Sequence, residues 1–411
     1  MDDNIHLRGL FFRFLFFTFY LPVSRYYSYL NSAKKILEAY DGSEPFSSFL
    51  KKEFAGSKKY GSKDRKQIAN LCYCYFRMGK MGMDMNTEDR IVIGLFLCSA
   101  TSNEILKLIN PEWNENTGLS IEKKLAKVNK QLFIEGVFPW KNRLSNEIDH
   151  EEFCKSFFIQ PDLFLRLRPG KEDKVKQQLS HSGIDFKEIS KSCLALSNAG
   201  KIDDKIELNK EAVVQDYNSQ QTVKQVIKYL PQNQKIKVWD CCAASGGKSI
   251  LLHDLVPSSD LTVSDIRESI LANLKLRFAN AGINSYESFI ADLSQPGKKT
   301  VKGKFDLIIA DVPCSGSGTW SRTPEQLFFF EETEIDKYAE LQKKITSNVV
   351  EYLKPGSLLL YITCSVFKAE NENVVEYLKS KYSLEVKEMK LLAGYNKRAD
   401  TLFTTVFFKP L

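Results

Sequence analysis

The amino-acid sequence predicts a doubly wound α/β sheet in the second half of the chain, preceded by a small α/β segment and an all-helical N-terminal module. Three observations carry that expectation. After Gln215, the apolar runs "KIKVWDCCA", "DLTVSDI", "SYESFIAD", "FDLIIADVP", "GSLLLYITCS" and "LFTTVFFKP" alternate with helix-length segments, the pattern of a sheet whose crossovers cover its faces. Acids or thiols stand at the ends of four runs, Asp240, Asp265, Asp311 and Cys364, and such sheets bind ligands beyond the carboxyl ends of their strands. From Tyr26 to Pro139, in contrast, apolar residues recur at helical spacing with few strand signals.

A chain of 411 residues suffices for roughly two to four domains. We expect boundaries at 1–22, 23–150, 151–210 and 211–411. The first segment contains "GLFFRFLFFTFYLP", where Arg13 interrupts the apolar run and no small-residue cleavage site follows. It is too short to span a bilayer. We expect it to be an upstream extension with the protein proper starting near Val23, a buried or interfacial helix being the other reading, and no stable membrane association.

The helical module carries the charge asymmetry of the chain. The net charge is +7, and between Lys51 and Lys80 nine Lys or Arg face only Glu53 and Asp64. That concentration suggests a polyanionic partner gripped through its phosphates, Lys58 and Lys59 included, against the alternative of a solvated helix face. Cys72 and Cys74 lie two apart on a helical pattern and are expected in the core. The nine cysteines include no CxxC pair, and the four histidines, His6, His150, His181 and His253, have no ligand spacing. Neither a disulfide framework nor a metal site is expected. A reducing cytoplasm fits this usage.

In the mixed segment "PDLFLRLRPG" predicts a strand and turn, "KEDKVKQQLSHSG" an amphipathic helix and "SCLALSN" another strand. The sheet follows. "VWDCCAASGGKS" (238–249) is a strand running into a glycine-rich turn and a helix start. Gly246 and Gly247 let backbone amides approach a ligand, and Lys248 begins the helix. The stretch is neither GxGxxG nor GxxxxGK[ST], which disfavours a triphosphate. Asp265, on the next strand tip, suits ribose hydroxyls, and Asp292, after the following one, suits an adenine amino group. Each acid could instead cap the helix after it. Three carboxylates without a phosphate loop point to an adenosyl ligand, S-adenosylmethionine.

Together, "DCCAASGGKS", "DVPCSGSGTWSRTPE" and "YITCSVFKAENE" resemble the three signature motifs of the Sun/Fmu/RsmB family of RNA cytosine-5 methyltransferases. "VVQDYNSQ" (213–220) is similar to the stretch that introduces that family's catalytic domain, 153–209 resembles its small RNA-contacting subdomain, and "SKDRKQIANLCYCYFRMG" is similar to a NusB-type domain. The resemblance implies a Rossmann-like class I methyltransferase fold, with cofactor contacts from Cys242, Ala243, Ala244, Ser245, Gly246, Gly247, Lys248, Asp265, Asp292 and Asp311. It assigns Cys364 as the nucleophile and Cys314 as the thiol that helps release product, with Asp311 and Lys248 beside them. Cytosine carbon 5 becomes nucleophilic when a thiolate adds to carbon 6. A free thiol of pKa about 8.5 is only a few per cent ionised at neutral pH, so the site must favour the anion.

Three positions depart from the family pattern: Ser245 for proline, Ser321 for arginine and Thr401 for glycine. The expected partner is RNA, ribosomal first and transfer RNA second, bound by a monomer. Amino-nitrogen methylation is disfavoured because the slot reads Asp311-Val312-Pro313-Cys314. DNA cytosine methylation would leave Cys364 without a role. A non-catalytic RNA-binding or ribosome-assembly factor is the alternative of a different class.

Overall fold

The computed structural model describes residues 25–57, 59–128, 131–197, 202–231, 234–295 and 301–411. The 1–22 extension and Lys58 lie outside the described residues. Two compact units divide the chain, one of 1–141, 154–159 and 320–330, the other of 142–153, 160–319 and 331–411.

The first unit is helical among the described residues up to 128, with helices at 25–39, Phe46–Gly56, Ser62–Arg77 and Thr87–Cys98 followed by shorter turns. Its core is aromatic. Phe46, Phe76 and Phe96 are fully buried, and Phe46 meets Tyr40 and Phe76 edge-on at 4.9 Å each, the preferred geometry for such rings. Cys72 and Cys74 are buried in the same core. Gly94 lets two helices touch, since a Cβ there would stand 2.3 Å from the Cys74 carbonyl oxygen. Within the basic stretch Lys51, Lys52, Lys59, Lys63 and Lys66 are exposed. Arg77 is not, and its guanidinium donates to the Phe157 carbonyl at 2.6 Å. Trp320–Phe330, far along the chain, belongs to this unit, where Trp320 packs on Phe330 at 4.7 Å.

The second unit holds two sheets. Strands β1 (Leu163–Leu167), β2 (Phe186–Ser190), β3 (Cys193–Leu196) and β4 (Ala212–Val214) form an antiparallel sheet in the order β2-β3-β1-β4. The helix Glu172–His181 buries Val175 and Leu179 in a shared core with Leu165, Leu167, Leu194 and Leu196. The strand β2 was not legible, because as an edge strand it exposes "KEIS" without an apolar alternation.

The larger sheet contains β5 (Lys237–Asp240), β6 (Asp260–Asp265), β7 (Glu287–Ile290), β8 (Phe305–Asp311), β9 (Leu353–Thr363), β10 (Glu385–Leu392) and β11 (Leu402–Phe408), ordered β10-β11-β9-β8-β5-β6-β7. From β9 to β7 neighbours are parallel, while β11 runs antiparallel to both β9 and β10. Successive residues enter opposite cores: Val238, Leu307, Ile309, Leu360 and Ile362 on one face, Trp239, Ile308, Ala310, Leu359 and Tyr361 on the other. Both faces are therefore covered, which is why these strands read as continuous apolar runs. The expected doubly wound sheet is present, with one strand more than its sequence showed. That strand, β10, has a register shift between Val386 and Glu388, and a bulge breaks the period of two that would have marked it.

The order reverses at β5, which has β6 on one side and β8 on the other. In a parallel sheet this reversal opens a crevice at the carboxyl ends. No helix among the described residues is long and apolar enough to cross a membrane.

Candidate active site

The tips of β5, β6, β8 and β9 bring Asp240, Asp265, Asp311 and Cys364 to the same edge of the sheet. Between β5 and its helix Gly247–Leu255 the chain makes a tight turn, with Ala244 at φ 46° and Gly246 at φ 81°. A Cβ on Gly246 would stand 2.6 Å from Phe278 Cε1. Glycine is required there twice, by the left-handed backbone and by the packed ring. Three amides of the turn bond within the protein: Ala243 to the Ser264 carbonyl at 2.9 Å, Ala244 to Asp265 Oδ2 at 3.0 Å and Gly246 to the Ala243 carbonyl at 2.8 Å. Gly247 and Lys248 open the helix, where the first N–H groups lack intrahelical carbonyl partners as a rule. Cys242 is half-buried beside its buried neighbour Cys241.

Ser245 is held from outside this turn. Arg277 donates to its carbonyl at 2.9 Å and to its hydroxyl at 2.5 Å, and to Asn209 Oδ1 at 3.0 Å. A side chain thirty-two residues away thus supplies rigidity that a proline would have built in locally. Asp265 also accepts from the Arg267 amide at 3.0 Å. Asp292 lies just beyond β7, where it accepts from the Ser294 amide at 3.0 Å and hydroxyl at 2.6 Å.

Asp240 is fully buried, takes the Ser249 hydroxyl on Oδ2 at 2.6 Å and has no partner for Oδ1. Burial foremost, then the negative charge of Asp311, outweighs the Ser249 bond and Lys248, and raises its pKa to about 7. Such an orphaned carboxylate oxygen beside the turn suits a ligand with a hydrogen-bond donor. Together with the close-packed Gly246, the helix amides and the Asp265 carboxylate, it fits an uncharged-ribose, cationic adenosyl group better than a phosphate, which buried carboxylates would repel.

Lys248 donates to Asp311 Oδ2 at 2.5 Å. Burial pulls this ammonium down, but the Asp311 charge and bond, with Asp240 and Cys364, carry its pKa above the ordinary 10.5. Beyond the ion pair lie the two thiols. Cys314 Sγ and Cys364 Sγ are 3.2 Å apart, both half-buried and free, and the Cys364 amide points at Cys314 Sγ at 3.4 Å. The bond with Cys364, then burial, then Glu370 hold the Cys314 thiol well above its ordinary 9.0. One contact therefore unites residues fifty positions apart, next to a lysine that feels the Cys364 charge.

Sequence reasoning missed the residues beneath the thiols. Glu370 is fully buried, with Oε2 accepting from the Ser315 amide at 2.9 Å and Gln342 Nε2 at 2.8 Å, and Oε1 from the Ser365 hydroxyl at 2.7 Å. An acid embedded in "YITCSVFKAENE" was its only signal, and Gln342, on the helix Thr333–Val350, had none. A groove of about 990 Å³ lined by Lys343, Ser347, Asn348, Tyr377 and Lys381 contains no predicted site residue. No cluster of three or more metal-ligating side chains occurs among the described residues.

With this geometry the comparisons with known proteins agree. Residues 225–405 match the 16S rRNA methyltransferase RsmB/F family. A probable ribosomal RNA small subunit methyltransferase B of Bacillus subtilis is 26% identical over 230 residues, covering 55% of this chain and 51% of that protein. The chain thus spans about half the length of this curated relative. In solved structures the fold recurs in PH0851, with TM-score 0.67, 16% identity and coverage of 93% of this chain and 98% of the other. It recurs also in NSun6 from Pyrococcus horikoshii with SFG, at TM-score 0.57, 14% identity and coverage of 66% and 96%. The paired thiols and the matched segment fall together: over residues 225–405 this chain is similar to the 16S rRNA methyltransferase RsmB/F family.

Proposed function

We propose that the protein is an S-adenosylmethionine-dependent methyltransferase that forms 5-methylcytosine in RNA, small-subunit ribosomal RNA first, through a covalent bond from Cys364 to the base. The observation that carries this reading is the 3.2 Å pair of free thiols at the tips of β8 and β9, beside the Lys248–Asp311 ion pair. A second idle thiol at that spot has no use in amino-nitrogen methylation.

When bound, the cofactor supplies an electrophilic methyl group on a cationic sulfur. Asp265 would accept from its ribose hydroxyls and Asp292 from its adenine amine, the turn 242–248 would hold the remainder, and Asp240 Oδ1 would be a further acceptor. The target cytidine leaves its stack to reach the thiols. Cys364 sulfur bonds to carbon 6, and the electron pair of the broken 5,6 double bond activates carbon 5. As the thiolate adds, nitrogen 3 takes a proton from water, returned on elimination, and Asp311 accepts from that nitrogen and from the exocyclic amine, stabilising the charge that develops on the ring. Lys248 holds that carboxylate in place. Once carbon 5 is methylated it must lose its proton: with Cys364 bonded to the base and its charge gone, Cys314 gives its resting proton to water and, as the thiolate, takes the one on carbon 5. The electron pair then restores the 5,6 double bond and expels Cys364.

The helical unit, similar in sequence to a NusB-type domain, adds the exposed cations Lys51, Lys59, Lys63 and Lys66, and we place the reaction in the cytoplasm. The same cations favour the second reading, a non-catalytic RNA-binding or assembly factor. Tritiated methyl transfer to a full RNA pool decides between them, with label expected in 5-methylcytosine. Cys314→Ala is expected to trap a denaturation-resistant protein–RNA adduct, and Cys364→Ala none. The opposite adduct pattern reverses the assignment, and unlabelled RNA supports the binding role.

A further inference from the structure

Two thiols 3.2 Å apart present a problem of identity: either sulfur could carry the proton, and only one can attack. Their surroundings are not symmetric. On one side Lys248 lies close enough to respond to charge on Cys364, and it is neutralised in part by Asp311. On the other side the buried Glu370 acts on Cys314, and its charge opposes one on that sulfur.

Glu370 also joins the loops that carry the thiols. Its Oε2 takes the amide of Ser315, the residue after Cys314, and its Oε1 takes the hydroxyl of Ser365, the residue after Cys364. Gln342 Nε2 donates to the same Oε2 and, at 3.1 Å, to the Pro313 carbonyl on the other side of Cys314. The Tyr361 hydroxyl closes the ring, donating at 2.6 Å to the Glu370 carbonyl. Burial foremost raises the Glu370 carboxyl above its ordinary 4.5, and the Ser315, Ser365 and Gln342 donors, all pointing at the carboxylate, oppose that rise and satisfy the ionised form. Such fully satisfied buried networks hold their members in one arrangement.

We propose that Glu370 is a positioning residue: it fixes the two cysteine loops against each other and keeps the proton on Cys314, leaving Cys364 as the reactive sulfur. The negative charge of Glu370 opposes a second negative charge at Cys314, while the positive charge of Lys248 favours one at Cys364. The titratable and charged groups that face the pair are Lys248, Asp311, Glu370, Tyr338 and Tyr361. The two tyrosines are both held above their ordinary range, first by burial, and stay neutral at working pH. Glu370 is thus the anion that distinguishes the sulfurs. In meaning this inference rests on the reading of Cys364 as nucleophile, but its test needs neither RNA nor cofactor.

The test is site-resolved alkylation of the full chain with iodoacetamide, followed by peptide mass spectrometry between pH 6 and 9. In the wild type Cys364 is expected to react about tenfold faster than Cys314 at neutral pH, because only the thiolate alkylates and the Lys248 charge favours it at Cys364. Glu370→Gln fits the network, because its amide oxygen can accept from Ser315 and Gln342 while its amide nitrogen donates to the Ser365 hydroxyl. In that variant the preference for Cys364 is expected to fall by about as much, and Glu370→Asp to recover part of it. An unchanged ratio in a folded Glu370→Gln variant overturns the proposal. Should that variant not fold, the wild type decides alone: equal reactivity of the two thiols overturns the proposal, and a clear preference for Cys364 supports it. Absence of methyl transfer with the alkylation pattern intact would refute the proposed function and leave this inference standing.

Discussion

Adjacent glycines in the cofactor turn should respond in opposite ways to the same substitution. Gly246 sits at φ 81°, ψ 14°, and an added Cβ would meet Phe278 Cε1 at 2.6 Å and Leu274 Cγ at 3.1 Å. Left-handed backbone costs an alanine about 1–2 kcal/mol. The contacts are with rings and branched chains of the helix Glu268–Ala281, both fully buried, and forcing a packed core apart costs about 1–3 kcal/mol more. Gly246→Ala should therefore lose about 2–5 kcal/mol in urea unfolding, with the slope unchanged. Gly247 is the first residue of its helix, and the nearest atom to its added Cβ is Gln215 Nε2 at 3.9 Å. Gly247→Ala should leave stability unchanged or raise it by up to about 1 kcal/mol. Its effect belongs to binding: a methyl group on the rim of the turn should weaken S-adenosylmethionine in calorimetry while the fold stays intact. A Gly246→Ala variant within about 0.5 kcal/mol of wild type, the range of an ordinary surface change, would refute this account of the turn.

Other substitutions probe independent parts of the second unit and the charge of the first. Asp254 accepts from Arg166, which has only 4% of its side chain exposed, and from Arg168 at 2.7 Å, joining the small sheet to the helix after β5. Asp254→Ala leaves buried guanidinium charge uncompensated and should cost about 3–5 kcal/mol in urea unfolding; less than about 1 kcal/mol would show the network to be dispensable. The Asp240 carboxyl, raised to about 7 from 3.8, binds a proton in the folded chain that the unfolded chain has released. The stability this group contributes is fully present below the lower value and is lost as pH rises through the higher one, so wild type should lose stability relative to Asp240→Asn between pH 4 and pH 7. Parallel pH curves for the two proteins would contradict that. Charge reversal of exposed Lys51 and Lys66 should weaken RNA binding and flatten its dependence on salt, by about 0.7–0.9 in logarithmic slope for each phosphate no longer neutralised; unchanged affinity would return these lysines to a solvated face.

The larger sheet was legible because its strands are buried on both sides and so stand out as apolar runs bounded by turns. Its ligand-facing end was legible too, since acids and thiols interrupt those runs where the strands stop, and so was the sharp turn, because only glycine fits the backbone of Gly246. What escaped were elements without a burial signature: β2, solvated along an edge, and β10, whose bulge spoils its alternation. The assignment of Trp320–Phe330 to the helical unit also escaped, because membership in a unit is settled by ring contacts across nearly two hundred positions, such as that of Trp320 with Phe138 at 6.1 Å.

Local chemistry is what the sequence determined unaided: which residues can attack, which can accept, and where the chain must turn, all of which depend on neighbours within a few positions. Only the tertiary structure decided how those groups act on one another. It set Cys314 against Cys364, placed Lys248 on one side and Glu370 on the other, and gave Ser245 the support of Arg277. Hydrogen bonds and charges work over a few ångströms of space whatever the separation along the chain, and a separation of fifty residues becomes 3.2 Å only once the sheet has formed.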